Sequence, residues 1–175
     1  MDLKRYKSYD HQEKLSKGIH FTIDHNGVWY FHGEQSPGPM KRERLAKLFS
    51  DKALKIKDQR YFLETPYESY EVEVEDVPFI IVSMKECEGN LIYISNLNEE
   101  FKSDNKRKIF LKRPFFSDLS LPYIEIRDGL LARFHQDVRA ELIERAFEQD
   151  PNANEEGVLY LNINGLDHPI AKWEE

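Results

Sequence analysis

The chain has 175 residues, enough to bury a core without a disulfide or a structural metal. It is 40% hydrophobic with 11 Phe, 9 Tyr and 2 Trp, which excludes a disordered polypeptide, and its net charge of -7 argues against a general nucleic-acid binder. The single cysteine, Cys87, cannot close an internal disulfide, and no apolar run approaches the roughly 20 residues of a membrane helix, so the expectation is a cytoplasmic protein with no membrane span.

Residues 1–18 are polar and weakly periodic and read as a short helix or an arm to which no function attaches. HFTID and VWYFH then alternate about Asn26-Gly27, a pair suited to a tight hairpin turn with two positive φ angles. Ser36-Pro37-Gly38-Pro39 breaks the chain, and Leu45, Leu48 and Phe49 mark one face of a short helix ending near Ser50. ALKIK and RYFLE flank a turn at Lys57-Asp58-Gln59-Arg60, and YEVEV follows Pro66 with Tyr70, Val72 and Val74 on one face and Glu71, Glu73 and Glu75 on the other.

The pattern restarts at Pro78. PFIIVSM reads as a buried strand, Glu88-Gly89-Asn90 as a turn and LIYIS as the return, with further strands at KIFLK and YIEIR. Leu130, Phe134, Val138, Leu142 and Ala146 recur at four-residue steps and predict one long amphipathic helix capped by Asp128. Pro151 stops it, and VLYLNI with HPIAKW around Gly165 predicts a closing hairpin. The reading is α+β, with two related small roll-like units built on antiparallel sheets. A short helix belongs to the first and a long helix to the second, over an arm at 1–18, a first unit at 19–78 and a second at 79–175.

Internal echoes support relatedness of the halves. YFLETPY at 61–67 matches IFLKRPF at 109–115, VEVED at 72–76 matches IEIRD at 124–128, and GVWYF at 27–31 matches GVLYL at 157–161. The last pair is displaced relative to the helices, so the repeat is a rearranged one.

These segments also carry a family likeness. GVWYFHGE, RLAKLFS, YFLETPYE and EVEDVPF, then PYIEIRDGLLARF, ELIE and GVLYLN, resemble the bacterial domain-of-unknown-function 1285 family over roughly residues 19–173. The resemblance implies a two-part α+β roll with repeated motifs, no established activity, and a part in ligand binding or signal transduction. It also suggests a recurring arginine at Arg42. The family often carries a Cys-Gly element before the first hairpin, where this chain has His20 to Asp24.

Among residues that could carry chemistry, Lys41 and Arg42 lie at the expected start of the first helix, where a positive dipole end and free N–H groups suit an anion. Arg127 precedes the expected cap of the long helix and Arg133 lies in its second turn. Trp29, Tyr30 and Tyr123 could line a pocket, although hairpin aromatics usually belong to a core. Glu73 and Asp76 fall within an acidic run at 64–76 that could supply acid and base groups, although strand alternation explains it as a polar face. The histidines lack zinc-binding spacing, and no nucleotide-binding loop or nucleophile elbow occurs. Cys87 lies between Glu86 and Glu88, neighbours that disfavour a thiolate.

The leading expectation is a non-catalytic binding or regulatory module. It holds an anionic small molecule or acidic peptide in a cleft between the units, through Lys41, Arg42, Arg127 and Arg133, with no cofactor and no metal. The alternatives are a carboxylate- or metal-dependent hydrolase using Glu73 and Asp76, and a structural protein forming a homodimer through a sheet edge.

Overall fold

The computed structural model describes residues 6–33, 37–41, 44, 53–153 and 157–173. The chain divides into two compact units, Met1–Asp76 and Val77–Glu175, and the α+β architecture read from the sequence is present in both. The predicted helix over 45–50 lies outside the described residues.

In the N-terminal unit, helix α1 (His11–Ser16) is capped by the Asp10 side chain, which accepts from the Glu13 N–H. It leads into β1 (Ile19–Ile23), β2 (Trp29–Phe31) and β3 (Gly38–Pro39), and then β4 (Leu54–Lys57), β5 (Arg60–Glu64) and β6 (Ser69–Val74). These form one sheet in the order β3-β2-β1-β6-β5-β4, antiparallel throughout except for the central β1–β6 pair, which is parallel. Phe21, Ile23, Trp29, Leu63 and Val72 are buried in its core.

The C-terminal unit repeats this plan. β7 (Phe79–Cys87), β8 (Asn90–Ser95) and β9 (Glu100–Lys102) form one meander, and β10 (Phe110–Lys112), β11 (Leu121–Arg127) and β12 (Leu130–Phe134) a second. The order is β10-β11-β12-β7-β8-β9, again with a single parallel pair, β12–β7, at the centre. The backbone agrees in detail: the Glu75 N–H donates to the Ile23 carbonyl at 3.0 Å, and the His135 N–H donates to the Ile81 carbonyl at 2.9 Å. Each sheet is therefore two three-stranded meanders joined through a parallel pair, where wholly antiparallel sheets were expected. The sequence echoes do not follow this equivalence. YFLE lies in β5, the middle strand of its meander, whereas IFLK lies at β10, an edge. VEV lies in the central parallel pair and IEI does not. Short alternating strands resemble one another wherever they lie, because the pattern records only which face is buried.

After the second sheet come α2 (Gln136–Gln149) and a separate two-stranded sheet of β13 (Gly157–Ile163) and β14 (Leu166–Trp173), the predicted closing hairpin. Helix α2 packs on β7, β13 and β14 through Val138, Leu142 and Ala146. The long helix predicted from Leu130 onward is corrected here. Asp128 and Gly129, at φ 47° and 80°, form a two-residue hairpin turn, residues 130–134 are strand β12, and the helix cap is His135, whose ring accepts from the Asp137 N–H. A step of four fits a strand as well as a helix, and antiparallel pairing with β11 across the Asp128-Gly129 turn decides for the strand.

Candidate functional site

The first sheet has one apolar and one polar face, set by strand alternation. Phe21 pairs with Phe31 and Val72, and Ile23 with Trp29 and Val74, on the core side. Thr22, between them, pairs with Tyr30 and Glu73 on the other side. The His32 N–H donates to the His20 carbonyl at 3.0 Å, which places those two histidines opposite one another next along the strands. Thr22 and His32 are fully buried, Tyr30 nearly so, and Asp24 is 4% exposed. A row of polar groups this deep must be hydrogen-bonded to be tolerated.

Much of that bonding comes from residues 7–17. Glu75 accepts from Lys7 Nζ, from the Tyr9 hydroxyl at 2.9 Å and from the His25 N–H at 3.0 Å. Lys14 pairs with Glu73. The Lys7 N–H donates to the Tyr30 hydroxyl at 3.0 Å. Asp24 Oδ1 accepts from the Asn26 and Val28 N–H groups, each at 2.9 Å. This five-residue loop replaces the two-residue turn expected at Asn26-Gly27, where only Gly27 has positive φ.

At the centre is a histidine pair. His11 Nδ1, on α1, lies 2.6 Å from His32 Nδ1, and His32 Nε2 lies 2.7 Å from Thr22 Oγ1. Two nitrogens on one tetrahedral zinc ion would stand about 3.3 Å apart, so this separation is that of a hydrogen bond. Both ring nitrogens of His32 are thus engaged. Burial, reinforced by His11 and Lys14, pushes the His32 imidazole down to about 4, so the ring is neutral near pH 7. A neutral His32 can be a donor at only one nitrogen. If it donates to His11, Thr22 donates to His32 and the His11 Nε2 carries a proton. If His11 donates instead, Thr22 becomes the acceptor and the His11 Nε2 offers a lone pair. The relay therefore lets His11 present either a donor or an acceptor at Nε2.

His11 and His32 line a cavity of ≈ 470 Å³ with Gln12, Leu15, Gly33 and Pro37. None of these described lining residues is acidic. A Cβ at Gly33 would meet the tip of the Phe31 ring at 2.1 Å, so a larger residue there requires that ring to shift.

The residues singled out from sequence belong to both units. Lys41 is exposed, and Arg42 lies outside the described residues. Arg127 and Arg133 are on strands β11 and β12, which removes their expected link to a helix start. Arg127 donates to Glu99 at 2.8 Å and lies over the Phe79 ring, with 11% of its side chain exposed. Arg133 is buried over the Phe116 ring and faces Tyr123 across the strand pair; Tyr123 stacks on Phe110 within the core. Trp29 is core. Glu73 belongs to the polar face through Lys14, and Asp76 is partly exposed at the unit's end. Sequence reasoning missed His11, Thr22 and His32. The one available signal was polar residues at His20, Thr22 and His32 in otherwise β-forming segments, since the contact joins residues 21 positions apart.

Among the described residues, no group of three or more His, Cys, Asp or Glu is placed to hold a metal, and no helix is long and apolar enough to cross a membrane. His168 is structural: its buried Nδ1 accepts from the Ile109 N–H at 3.0 Å, and burial lowers its pKa.

No curated protein matches the chain. A DUF1285 family protein from Silicibacter pomeroyi DSS-3 aligns with a TM-score of 0.71 at 21% identity, over 88% of this chain and 80% of that one. A second, from Shewanella baltica OS155, aligns with a TM-score of 0.55 at 24% identity, over 72% of this chain and 91% of that one. Both are likenesses of fold. The family model described as Domain of unknown function (DUF1285), N-terminal domain, matches residues 11–77, and that described as Protein of unknown function (DUF1285), C-terminal domain, matches residues 78–170. Matched along most of its length by both halves of that architecture, the chain belongs to the DUF1285 family.

Proposed function

We propose that this protein is a non-catalytic ligand-binding module with a regulatory role in signalling, and that its N-terminal unit holds a small molecule bearing a carboxylate or phosphate. The observation that carries this reading is the cavity beside the histidine pair, walled by His11, Gln12 and Leu15 from α1 and by His32, Gly33 and Pro37 from the region of the first sheet. At ≈ 470 Å³ it has the size of a small-molecule site, which favours a metabolite over an acidic peptide. Its described lining residues offer imidazole and amide donors, and none of them is a carboxylate, which favours an anion over a cation. Thr22 is fully buried within a strand, which argues against its acting as a nucleophile. Glu73 is held by Lys14, which leaves the hydrolase reading without a free carboxylate pair at this face. A bacterial, cytoplasmic setting is part of the proposal, and the sources of both related structures support its bacterial part.

The test is a thermal-shift and calorimetric screen of carboxylate- and phosphate-bearing metabolites against wild type, His11→Ala and Lys41→Ala. A ligand at about 100 times its Kd stabilises the folded state by roughly 2.7 kcal/mol. At least one anion should stabilise wild type and Lys41→Ala and lose most of that effect in His11→Ala. An unresponsive wild type, or an unchanged response in His11→Ala, refutes the assignment.

A further inference from the structure

Residues 7–17 cross the polar face of the first sheet on polar anchors. Lys7 and Tyr9 hold Glu75, Lys14 holds Glu73, and His11 holds His32. Helix α1 buries no side chain fully, so apolar burial contributes little to keeping it in place. Docking of the segment rests on charge, on hydrogen bonding and on the Tyr9 ring set 4.8 Å from that of Tyr30, and so does one wall of the cavity.

The His11–His32 contact depends on proton count. Two imidazole nitrogens at 2.6 Å need one proton between them and a lone pair to receive it. The neutral pair meets that condition. So does a pair with one added proton, because a protonated His11 still donates from Nδ1 to the lone pair of His32. A second added proton leaves two N–H groups facing each other on two charged rings. Other groups near His32 are Tyr9, whose ring lies at 5.6 Å, and Lys14 from the same segment, His20 and Thr22 from β1, and Glu73 from β6. Lys14 and Glu73 offset one another as a pair, and His20, whose Nδ1 is buried without a hydrogen-bond partner, adds positive charge if it too is protonated.

We propose that residues 7–17 form a proton-gated strap, docked while the His11–His32 pair carries at most one added proton and released from an intact sheet when both rings are charged. Release removes the His11, Gln12 and Leu15 wall, so the same event opens the cavity. The strap stands on the pair's geometry and does not depend on any ligand.

The experiment follows amide resonances of ¹⁵N-labelled full-length protein from pH 7.5 to 3, for wild type and His11→Gln. Glutamine keeps a hydrogen-bond acceptor for a protonated His32 and cannot itself become charged. In wild type, resonances of residues 7–17 should collapse to random-coil positions while Thr22, Ile23 and Trp29 stay dispersed. In His11→Gln the histidine step should be absent, because a protonated His32 then faces a glutamine oxygen instead of a second charged ring, and any release should move to lower pH, where Glu73 and Glu75 lose charge. Three results overturn the proposal: a strap that stays docked to pH 3, a strap and sheet that unfold together, or equal midpoints in the two proteins. Equal midpoints would assign release to Glu73 and Glu75, whose partners His11→Gln leaves in place.

Discussion

Replacing Glu75 by glutamine is the most informative change to the N-terminal unit. One carboxylate, 12% exposed, receives Lys7 Nζ and the Tyr9 hydroxyl on Oε1 and the His25 N–H on Oε2, with the His25 ring at 3.4 Å. Burial pushes this carboxyl up, but hydrogen bonds from Lys7, Tyr9 and the His25 N–H outweigh it and hold its pKa below the usual value. Glutamine offers a single acceptor, and its amide turns a donor toward either Tyr9 and Lys7 or the His25 N–H. A hydrogen bond to a charged group contributes about 1.5–3 kcal/mol, so Glu75→Gln should cost the unit roughly 2 kcal/mol at pH 7. The folded-state pKa is depressed, so this contribution is fully present above the unfolded value of about 4.3 and disappears as pH falls through the folded value. The cost of the substitution should therefore shrink as pH falls from 7 to 3. Urea denaturation in a Trp173→Phe background, where only Trp29 fluoresces, reads the N-terminal unit alone. A cost below about 0.5 kcal/mol at pH 7, or an equal cost at pH 7 and pH 3, would refute the reasoning.

Three further outcomes follow from the geometry. Leu142→Ala removes a side chain with 0% exposure beneath α2 and should cost about 2–5 kcal/mol, read by Trp173 fluorescence in a Trp29→Phe background. Arg127→Met strands Glu99 in a mostly buried position and should cost about 3 kcal/mol, while Arg127→Met with Glu99→Met should recover most of it in the same assay. Gly33→Ala pushes on the Phe31 ring and should destabilise the N-terminal unit by about 1–3 kcal/mol in the Trp29 assay.

Turn chemistry made much of the fold legible. Asp58-Gln59, Glu88-Gly89 and Asn164-Gly165 all adopt positive φ between paired strands, where the sequence placed turns. Where two periods coincide the reading failed: Leu130 and Phe134, four apart, fit helix and strand alike, and the Asp128-Gly129 turn decided for the strand. The central parallel pairs were not legible, because β1 meets β6 across some 50 residues and no local signal records that register. Nor was the pocket. Glu71, Glu73 and Glu75 alternate as a polar strand face should, and all three are paired: Glu71 with Arg60, Glu73 with Lys14 and Glu75 with Lys7. The segment read as a functionless arm supplies His11, and only its docking brings that ring to His32.

The claim that the His11–His32 cavity is a binding site is tested most directly by mapping where an anion binds. Amide and histidine side-chain resonances of the full chain should be followed while inorganic phosphate, and then each stabilising metabolite, is titrated in at pH 7. The account predicts saturable shifts concentrated at His11, Gln12, Leu15, His32 and Gly33, reduced in His11→Ala. Saturable shifts centred instead on Lys41 or on Arg133 and Tyr123, or no saturable shift with any anion, would contradict it.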